Sequence, residues 1–152
     1  MNSGESSSQL GSLAELPFQG PVHDKAAYLT YQPKTVINQW VSCFWQLTVD
    51  YGDYGYLSVP DNCVDWIINL SDPSESLIVT PFSSATEFSF SGPASYFAIR
   101  FRVLGYKGLI NTPLGEWQNG DHSMAAIELV DRLVLEQVST VLYQSSQFDE
   151  RC

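Results

Sequence analysis

The sequence predicts a mainly β chain of the α+β class, an antiparallel sandwich or small barrel followed by C-terminal helices. About six short runs of strand-like composition fall between residues 41 and 103, divided by Asp-Pro, Ser-Ser and Gly-Pro pairs. Beyond Gly105, the apolar residues recur instead at helical steps of three and four. Many short strands at such spacing are typical of sandwiches and barrels rather than of doubly wound sheets.

The first strands lie in the most aromatic part of the chain. Residues 41–49, VSCFWQLTV, alternate as a strand does, with Trp45 on the more apolar face. The segment YGDYGY that follows predicts a turn, and residues 56–59 predict a short strand that Pro60 ends. The stretch PDNCVDWIINL, residues 60–70, predicts a turn followed by a further strand.

Three more strands complete the β region. They are predicted over residues 76–80 (SLIVT), 86–91 (TEFSFS) and 96–103 (YFAIRFRV). In the last of these, alternation places Phe97 and Phe101 on the inward face.

The pattern after the strands is helical. GYKGLIN predicts a short turn or helix, and Thr112-Pro113 predicts the start of another. From Ser123 to about Tyr143 we expect one amphipathic helix. Its apolar stripe consists of Ile127, Val130, Val134, Val138 and Val141. The chain then continues as a polar tail, SSQFDERC.

Length and composition indicate one folded domain. The chain has 152 residues, 44% of them apolar and 13% aromatic, which is enough for a core of its own. Residues 1–24 are rich in Ser, Gly and Glu and predict a flexible N-terminal arm. We assign residues 25–104 to the barrel and residues 105–152 to a helical segment of the same domain, which serves dimerisation.

The charge is strongly acidic. Seven Lys and Arg stand against 17 Asp and Glu, for a net charge of −10. Binding to nucleic acid requires Lys and Arg to displace the counterions of phosphate, so this composition argues against direct DNA or RNA binding. It argues against binding to anionic membrane surfaces for the same reason.

The cysteines and the N-terminus indicate an intracellular protein. Cys43, Cys63 and Cys152 are odd in number and show no CxxC spacing, so neither a disulfide framework nor a zinc site is expected. The first residues have no basic region followed by an apolar one, as a signal peptide would, and no apolar run has the length of a membrane span. The prediction is a cytoplasmic protein without membrane contact.

The residue types needed for catalysis are scarce. A metal site in a small barrel needs two or three His with a carboxylate at strand spacing, but the sequence has only His23 and His122, far apart. Cys63 has no His near it in the strand region to act as a base, and no Gly-rich phosphate loop is present. We therefore expect no catalytic residue, no metal and no cofactor.

Asp65 is the polar residue that requires an explanation, because it lies in the middle of an apolar strand. Burial of a lone carboxylate is costly, so it should be solvated or paired with Arg100 or Arg102. Either this is a structural ion pair, or the charges orient a polar group of a ligand at the mouth of an aromatic cavity. Trp45 and Trp66 allow the same two interpretations, as plain core or as the wall of an effector pocket.

Three segments carry a family likeness. Tyr31-Gln32-Pro33 precedes a short turn and the aromatic strand VSCFWQL, and PDNCVDWIINLSDP and FAIRFRVLGYKGLINTPLGEW follow in order. Together, over about residues 28–141, they resemble the N-terminal effector-sensing domain of AraC-type transcriptional regulators, in the subgroup with a cupin-like β-barrel. Two departures stand out: Asn62 replaces a Gly of the pattern, and Val103-Leu104-Gly105 replaces Pro-Gly-Gly.

The resemblance implies a cupin-like barrel followed by helices, a small-molecule effector in the barrel, and a homodimer. The ligand-binding residues would be Trp45, Trp66, Phe97 and Phe101, with Arg100 or Asp65 fixing a polar end. The dimer contacts would come from Ile127, Val130, Val134 and Val141.

DNA would be bound only through a C-terminal helix-turn-helix domain, for which residues 105–152 lack the basic composition. The sequence would then be the sensor part of a longer regulator or a naturally short homologue. Two alternatives remain open: a free-standing interaction protein that pairs with a full-length regulator, and a cupin-like enzyme.

Overall fold

The computed structural model describes residues 25–58, 63–80, 84–110 and 123–152. Its strands are β1 (Ala26–Tyr31), β2 (Val41–Ser58), β3 (Val64–Asn69), β4 (Ser76–Val79), β5 (Thr86–Phe101) and β6 (Ser123–Ala125). Two α-helices follow, α1 (Arg132–Gln144) and α2 (Phe148–Arg151), and 3-10 turns cover Val36–Gln39, Gly105–Gly108 and Ala126–Glu128. The predicted N-terminal arm, the Pro-Asp-Asn turn and the helix start at Thr112-Pro113 lie outside the described residues.

The six strands form one antiparallel sheet in the order β1-β2-β5-β3-β4-β6. The mainly β fold class predicted from the sequence, with a few C-terminal helices, is confirmed. Strands β1 and β6 are the edges of this sheet, and no ladder joins them within the described ranges. The part of the sheet that the structure describes is therefore open, not a closed barrel.

Strands β2 and β5 are far longer than the sequence predicts, because the expected turns do not break them. They span 18 and 16 residues and pair from Val41 to Ser58. A β-bulge between Val49 and Gly52 absorbs the YGDYGY segment, and Gly52 takes a φ of 67° there. On the partner strand, a Cβ placed on Gly92 would lie 2.8 Å from the carbonyl oxygen of Val49, so the close approach requires glycine.

Both faces of the sheet are buried. One face packs against α1 and α2, and we call its apolar cluster the helix-side core. Its sheet members include Phe44, Val64, Trp66, Ile68, Phe97 and Phe101. We call the cluster on the opposite face the cavity-side core. It contains Cys43, Trp45, Leu47, Val49, Ile67, Val79 and Ala98, against which Phe88 and Phe90 pack.

The single helix predicted from Ser123 to Tyr143 is wrong over residues 123–131. That part forms β6 and a 3-10 turn, and Val130 pairs with Ile110 in an isolated β-bridge. Helix α1 begins after Asp131, whose side chain accepts a hydrogen bond from the Leu133 N–H at 2.9 Å and so acts as the N-cap. Apolar residues continue at helical spacing through the strand and the turn, so the pattern alone could not show this boundary.

Within the polar tail, residues 148–151 form the short helix α2, which the sequence pattern did not predict as a separate element. Gln147 and Glu150 form a capping box at its start. Phe148 packs against Phe97, with ring centroids 6.2 Å apart, and Arg151 donates a 2.7 Å hydrogen bond to Gln46. One aromatic and one guanidinium group are thus enough to dock a polar segment on the sheet. None of the helices in the described ranges is long and apolar enough to cross a membrane.

Candidate functional site

The six residues predicted to line one effector pocket lie on two opposite faces of the sheet. Trp45, Asp65 and Arg100 are on the cavity side, whereas Trp66, Phe97 and Phe101 belong to the helix-side core. The strand register explains the split. Asp65 is opposite Arg100, which places the next residue, Trp66, on the other face.

The aromatic members of that set serve as packing. Trp45 is fully buried and stacks on Tyr28 at a centroid distance of 5.8 Å. Phe97 lies between Phe44, stacked at 5.8 Å, and Phe148 of α2. The contacts of these rings are therefore those of core residues that pack against other aromatic side chains.

Asp65 and Arg100 form a buried bidentate ion pair between β3 and β5. Arg100 donates from Nε to Oδ1 at 2.9 Å and from Nη2 to Oδ2 at 2.7 Å. The residues are 8% and 4% exposed. Arg102, the other partner that the sequence offered, instead donates to the main-chain and side-chain oxygens of Asn38. Because both carboxylate oxygens are occupied, the geometry is that of a structural pair.

The Cys43 thiol is not poised for nucleophilic chemistry. Cys43 lies opposite Arg100 in the ladder between β2 and β5. Burial raises the pKa of the Cys43 thiol to about 12, and the smaller effects of Arg100 and Asp65 oppose each other. Among the described residues, no three His, Cys, Asp or Glu side chains cluster as metal ligands would.

A cavity of about 600 Å³ opens on the cavity-side face, and none of the six predicted ligand-binding residues lines it. Its apolar wall consists of Ile67, Val79, Phe88, Phe90 and Tyr96. One side is built by β3, β4 and β6, and the other by the far half of β5. The long β5 strand thus extends beyond its pairing with β3 and provides the second wall.

The mouth of the cavity combines exposed apolar and polar groups. Leu77 is 47% exposed and Ile127 is 73% exposed, although both line the cavity. Asn69, Ser74 and Glu75 line its polar end, at the turn between β3 and β4. A ligand that covers the two apolar side chains would remove them from water, which favours binding.

Asp72 organises the polar end. Its Oδ1 accepts hydrogen bonds from the Ser74 N–H at 3.2 Å and from the Ser74 hydroxyl at 2.5 Å. The Tyr143 hydroxyl of α1 donates to the same oxygen at 3.4 Å. These bonds, those from Ser74 first, lower the pKa of Asp72 from its ordinary value. The turn that carries the rim residues is therefore held together by its own hydrogen bonds and touches α1.

A second groove of about 600 Å³ lies on the helix side and is more polar. Gln46, Thr48, Ser95 and Arg151 are among its lining residues. The Ser95 hydroxyl donates to that of Thr48 at 3.1 Å, and Arg151 bonds Gln46. The groove is shallow and its polar groups bond one another, so it is the weaker candidate for a ligand.

The four predicted dimer residues do not form one exposed stripe. Val130 is buried, and Val134 packs against the helix-side core. Ile127 lies at the cavity mouth, outside α1. Of the four predicted residues, Val141 alone is an exposed residue of α1. The exposed apolar residues of this helix are Leu133, Val141 and Tyr143.

The sequence did carry a signal for the cavity wall, but the predicted break at Gly92-Pro93 concealed it. Phe88, Phe90 and Tyr96 are separated by even numbers of residues, so they share a face once β5 is one strand. Glu75 had no such signal, because its position depends on the β3–β4 turn.

Comparison with known protein families matches residues 29–123 to the family described as a domain of unknown function, DUF6597. The matched segment runs from the middle of β1 through β5 and includes most of the cavity wall. No curated protein and no solved structure gives a significant match. Since the match covers more than half of the 152 residues, the chain belongs to the DUF6597 family.

Proposed function

We propose that this chain is a sensing domain that binds a small, partly apolar molecule in the cavity between β3, β4, β6 and the first half of β5. The observation that carries the proposal is the cavity itself. Its volume of about 600 Å³ falls within the range of roughly 300–1,000 Å³ that is usual for small-molecule sites. Its wall is aromatic and aliphatic, with polar groups gathered at one end, as in sites that bury a ligand body and orient its head.

The likeness to AraC-type regulators supports a regulatory purpose for this binding, exerted on an attached DNA-binding domain. Ala125 and Ile127 line the cavity, and the chain leads from them through Val130 into α1. A ligand that contacts this segment more favourably in one position of α1 than in another would shift the balance between the two positions. Helix α1 is thus the element through which we propose that binding is passed on.

A second candidate function, protein–protein pairing, is favoured by exposed apolar residues of α1. Leu133 and Val141 are exposed, although the inner face of the same helix packs on the helix-side core. Exposed apolar residues grouped on one helix are typical of interaction surfaces. In the sensing proposal these residues would contact a second copy of the chain. In a free-standing interaction protein they would contact a different regulator.

The sensing proposal is tested by screening a library of fragment-sized aromatic compounds by NMR, using Leu77→Trp to fill the cavity mouth. Leu77 is half exposed, so the larger ring can be accommodated without opening the core. We expect fragment hits to perturb the amides of β4 and β5, and Leu77→Trp to weaken them at least about tenfold.

Leu133→Trp is the matched control, since Leu133 is an exposed leucine of α1 outside the cavity lining. It should leave the fragment affinities unchanged. Hits that bind Leu77→Trp as tightly as the unmodified chain, or a library that yields no hit in β4 and β5, would contradict the proposal.

A further inference from the structure

We infer that the cavity selects ligands that carry a positive charge, namely amines or quaternary ammonium ions on an apolar body. The inference rests on the proposed function, since it names the class of ligand for the same cavity. Three observations support it: the charges around the cavity, the available carboxylate of Glu75 at its rim, and the aromatic rings in its wall.

The distribution of charge around the cavity disfavours anionic ligands. Glu75 is the charged side chain among the described residues that line the cavity. All seven Lys and Arg of the sequence lie in the described ranges, and none of them lines it. A carboxylate or phosphate placed there would lose water without gaining a cationic partner, and it would meet Glu75.

Glu75 is held in place by its main chain while its carboxylate stays available. Its N–H donates to the Asp72 carbonyl at 2.9 Å, and its carbonyl accepts from the Asn69 N–H at 3.2 Å. The side chain makes no ion pair or hydrogen bond with any residue in the described ranges. The neighbouring carboxylate of Asp72 is, by contrast, occupied by Ser74 and Tyr143. A ligand cation at this rim would therefore gain a preplaced partner.

The wall behind the rim suits the rest of such a ligand. Phe88, Phe90 and Tyr96 line the cavity, and the rings of Phe90 and Tyr96 lie 4.7 Å apart. Aromatic faces bind apolar groups, and they also attract cations within about 6 Å of the ring centre. The net charge of −10 further raises the concentration of cations near the surface. Rim, wall and overall charge thus favour the same class of ligand.

The test is calorimetric titration with three probes that share a naphthyl ring: 2-(1-naphthyl)ethylamine, 2-(1-naphthyl)ethanol and 1-naphthaleneacetate. We expect the amine to bind about tenfold more tightly than the acetate, with the alcohol between them. Glu75→Gln should weaken the amine about 2- to 5-fold, because an exposed ion pair contributes modestly. The same variant should leave the alcohol unchanged.

Glu87→Gln is the matched control, because it removes the same charge from an exposed residue of β5 that does not line the cavity. It should leave the amine affinity unchanged, which separates a local carboxylate from general attraction to an acidic chain. Equal binding of the three probes, or an amine affinity that Glu75→Gln leaves unchanged, would overturn the inference while leaving small-molecule binding intact. If no probe bound, both the inference and the proposed use of the cavity would fail.

Discussion

Asp65 and Arg100 are surrounded by apolar side chains of the cavity-side core, among them Trp45, Ile67 and Ala98. Removing two charges from water costs several kcal/mol per ion, and the bidentate geometry offsets this cost only while both partners are present. The pair therefore favours the observed register between β3 and β5. A slip of one residue would bury both charges apart from each other.

Asp65→Asn should lower the free energy of unfolding by about 3–5 kcal/mol, because it removes the carboxylate that binds the buried Arg100 guanidinium through two hydrogen bonds. The double variant Asp65→Leu/Arg100→Met removes both charges and should recover most of this loss. Urea unfolding followed by tryptophan fluorescence measures both values.

The exposed pair between Arg132 and Glu136, 2.9 Å apart on α1, provides the matched control. Glu136→Gln should change the free energy of unfolding by less than about 0.5 kcal/mol. A loss of under about 1 kcal/mol for Asp65→Asn would contradict a stabilising role of the buried pair.

The faces of Trp45 and Trp66 show which part of the site could not be predicted. Alternation correctly grouped the residues that share a face within each strand. Because both faces of the sheet are buried, however, an apolar face can point to either core: Trp45 lies in the cavity-side core and Trp66 in the helix-side core. Which strand face meets which core depends on the pairing register and on the sheet order, in which β5 lies between β2 and β3. Sequence patterns within single strands do not contain that information.

The cavity depends on elements longer than any local pattern indicates. The bulge at Gly52 and the glycine at position 92 let β2 and β5 change direction without ending. Gly-rich and Gly-Pro stretches more often mark turns, so the sequence favoured four short strands where two long ones exist. Strands β3 and β4 lack such interruptions, and their positions were predicted to within about a residue.

Helix α2 gives a prediction for pH dependence. Glu150 accepts hydrogen bonds from the N–H groups of Ser146 at 2.8 Å and Gln147 at 3.1 Å. These bonds lower the pKa of Glu150 from its ordinary value of 4.5. Since the folded-state pKa is depressed, the cap is fully present above pH 4.5 and is lost as the pH falls through the lowered value. The amide signals of Ser146 and Gln147 should therefore shift with a midpoint below pH 4.5.

Two variants check the assignment of that midpoint by NMR titration. Glu150→Gln removes the titrating group and should abolish the shift at both amides. Asp149→Asn changes a neighbouring carboxyl that does not cap them, so the shift should persist. A midpoint at or above pH 4.5 would mean that the capping box does not form in solution.

At the scale of the whole molecule, the sheet has the helices on one face and the cavity on the other. Its helix-side face is covered by α1 and α2, which are anchored through Leu142 and Phe148. Its cavity-side face keeps the open space that a ligand needs. Two described segments join the cavity side to α1: the β3–β4 turn, where Asp72 bonds Tyr143, and the 3-10 turn that leads through Ile127 to α1. We expect an effect of a ligand on a partner of α1 to pass through these two links.

The exposed apolar residues of α1 give the final prediction, which concerns assembly. If Leu133 and Val141 form a dimer contact, placing charge there forces desolvation of carboxylates in an apolar interface. Leu133→Glu/Val141→Glu should then raise the dimer dissociation constant at least about 100-fold. Sedimentation velocity over a range of protein concentrations measures it.

The control must add the same charge elsewhere, because extra repulsion between two chains of net charge −10 could itself oppose pairing. Val36→Glu/Val103→Glu does so at exposed apolar residues outside α1 and should leave the dissociation constant within about threefold. Equal weakening by both double variants would assign the effect to net charge. A chain that is monomeric at every concentration would contradict the dimer.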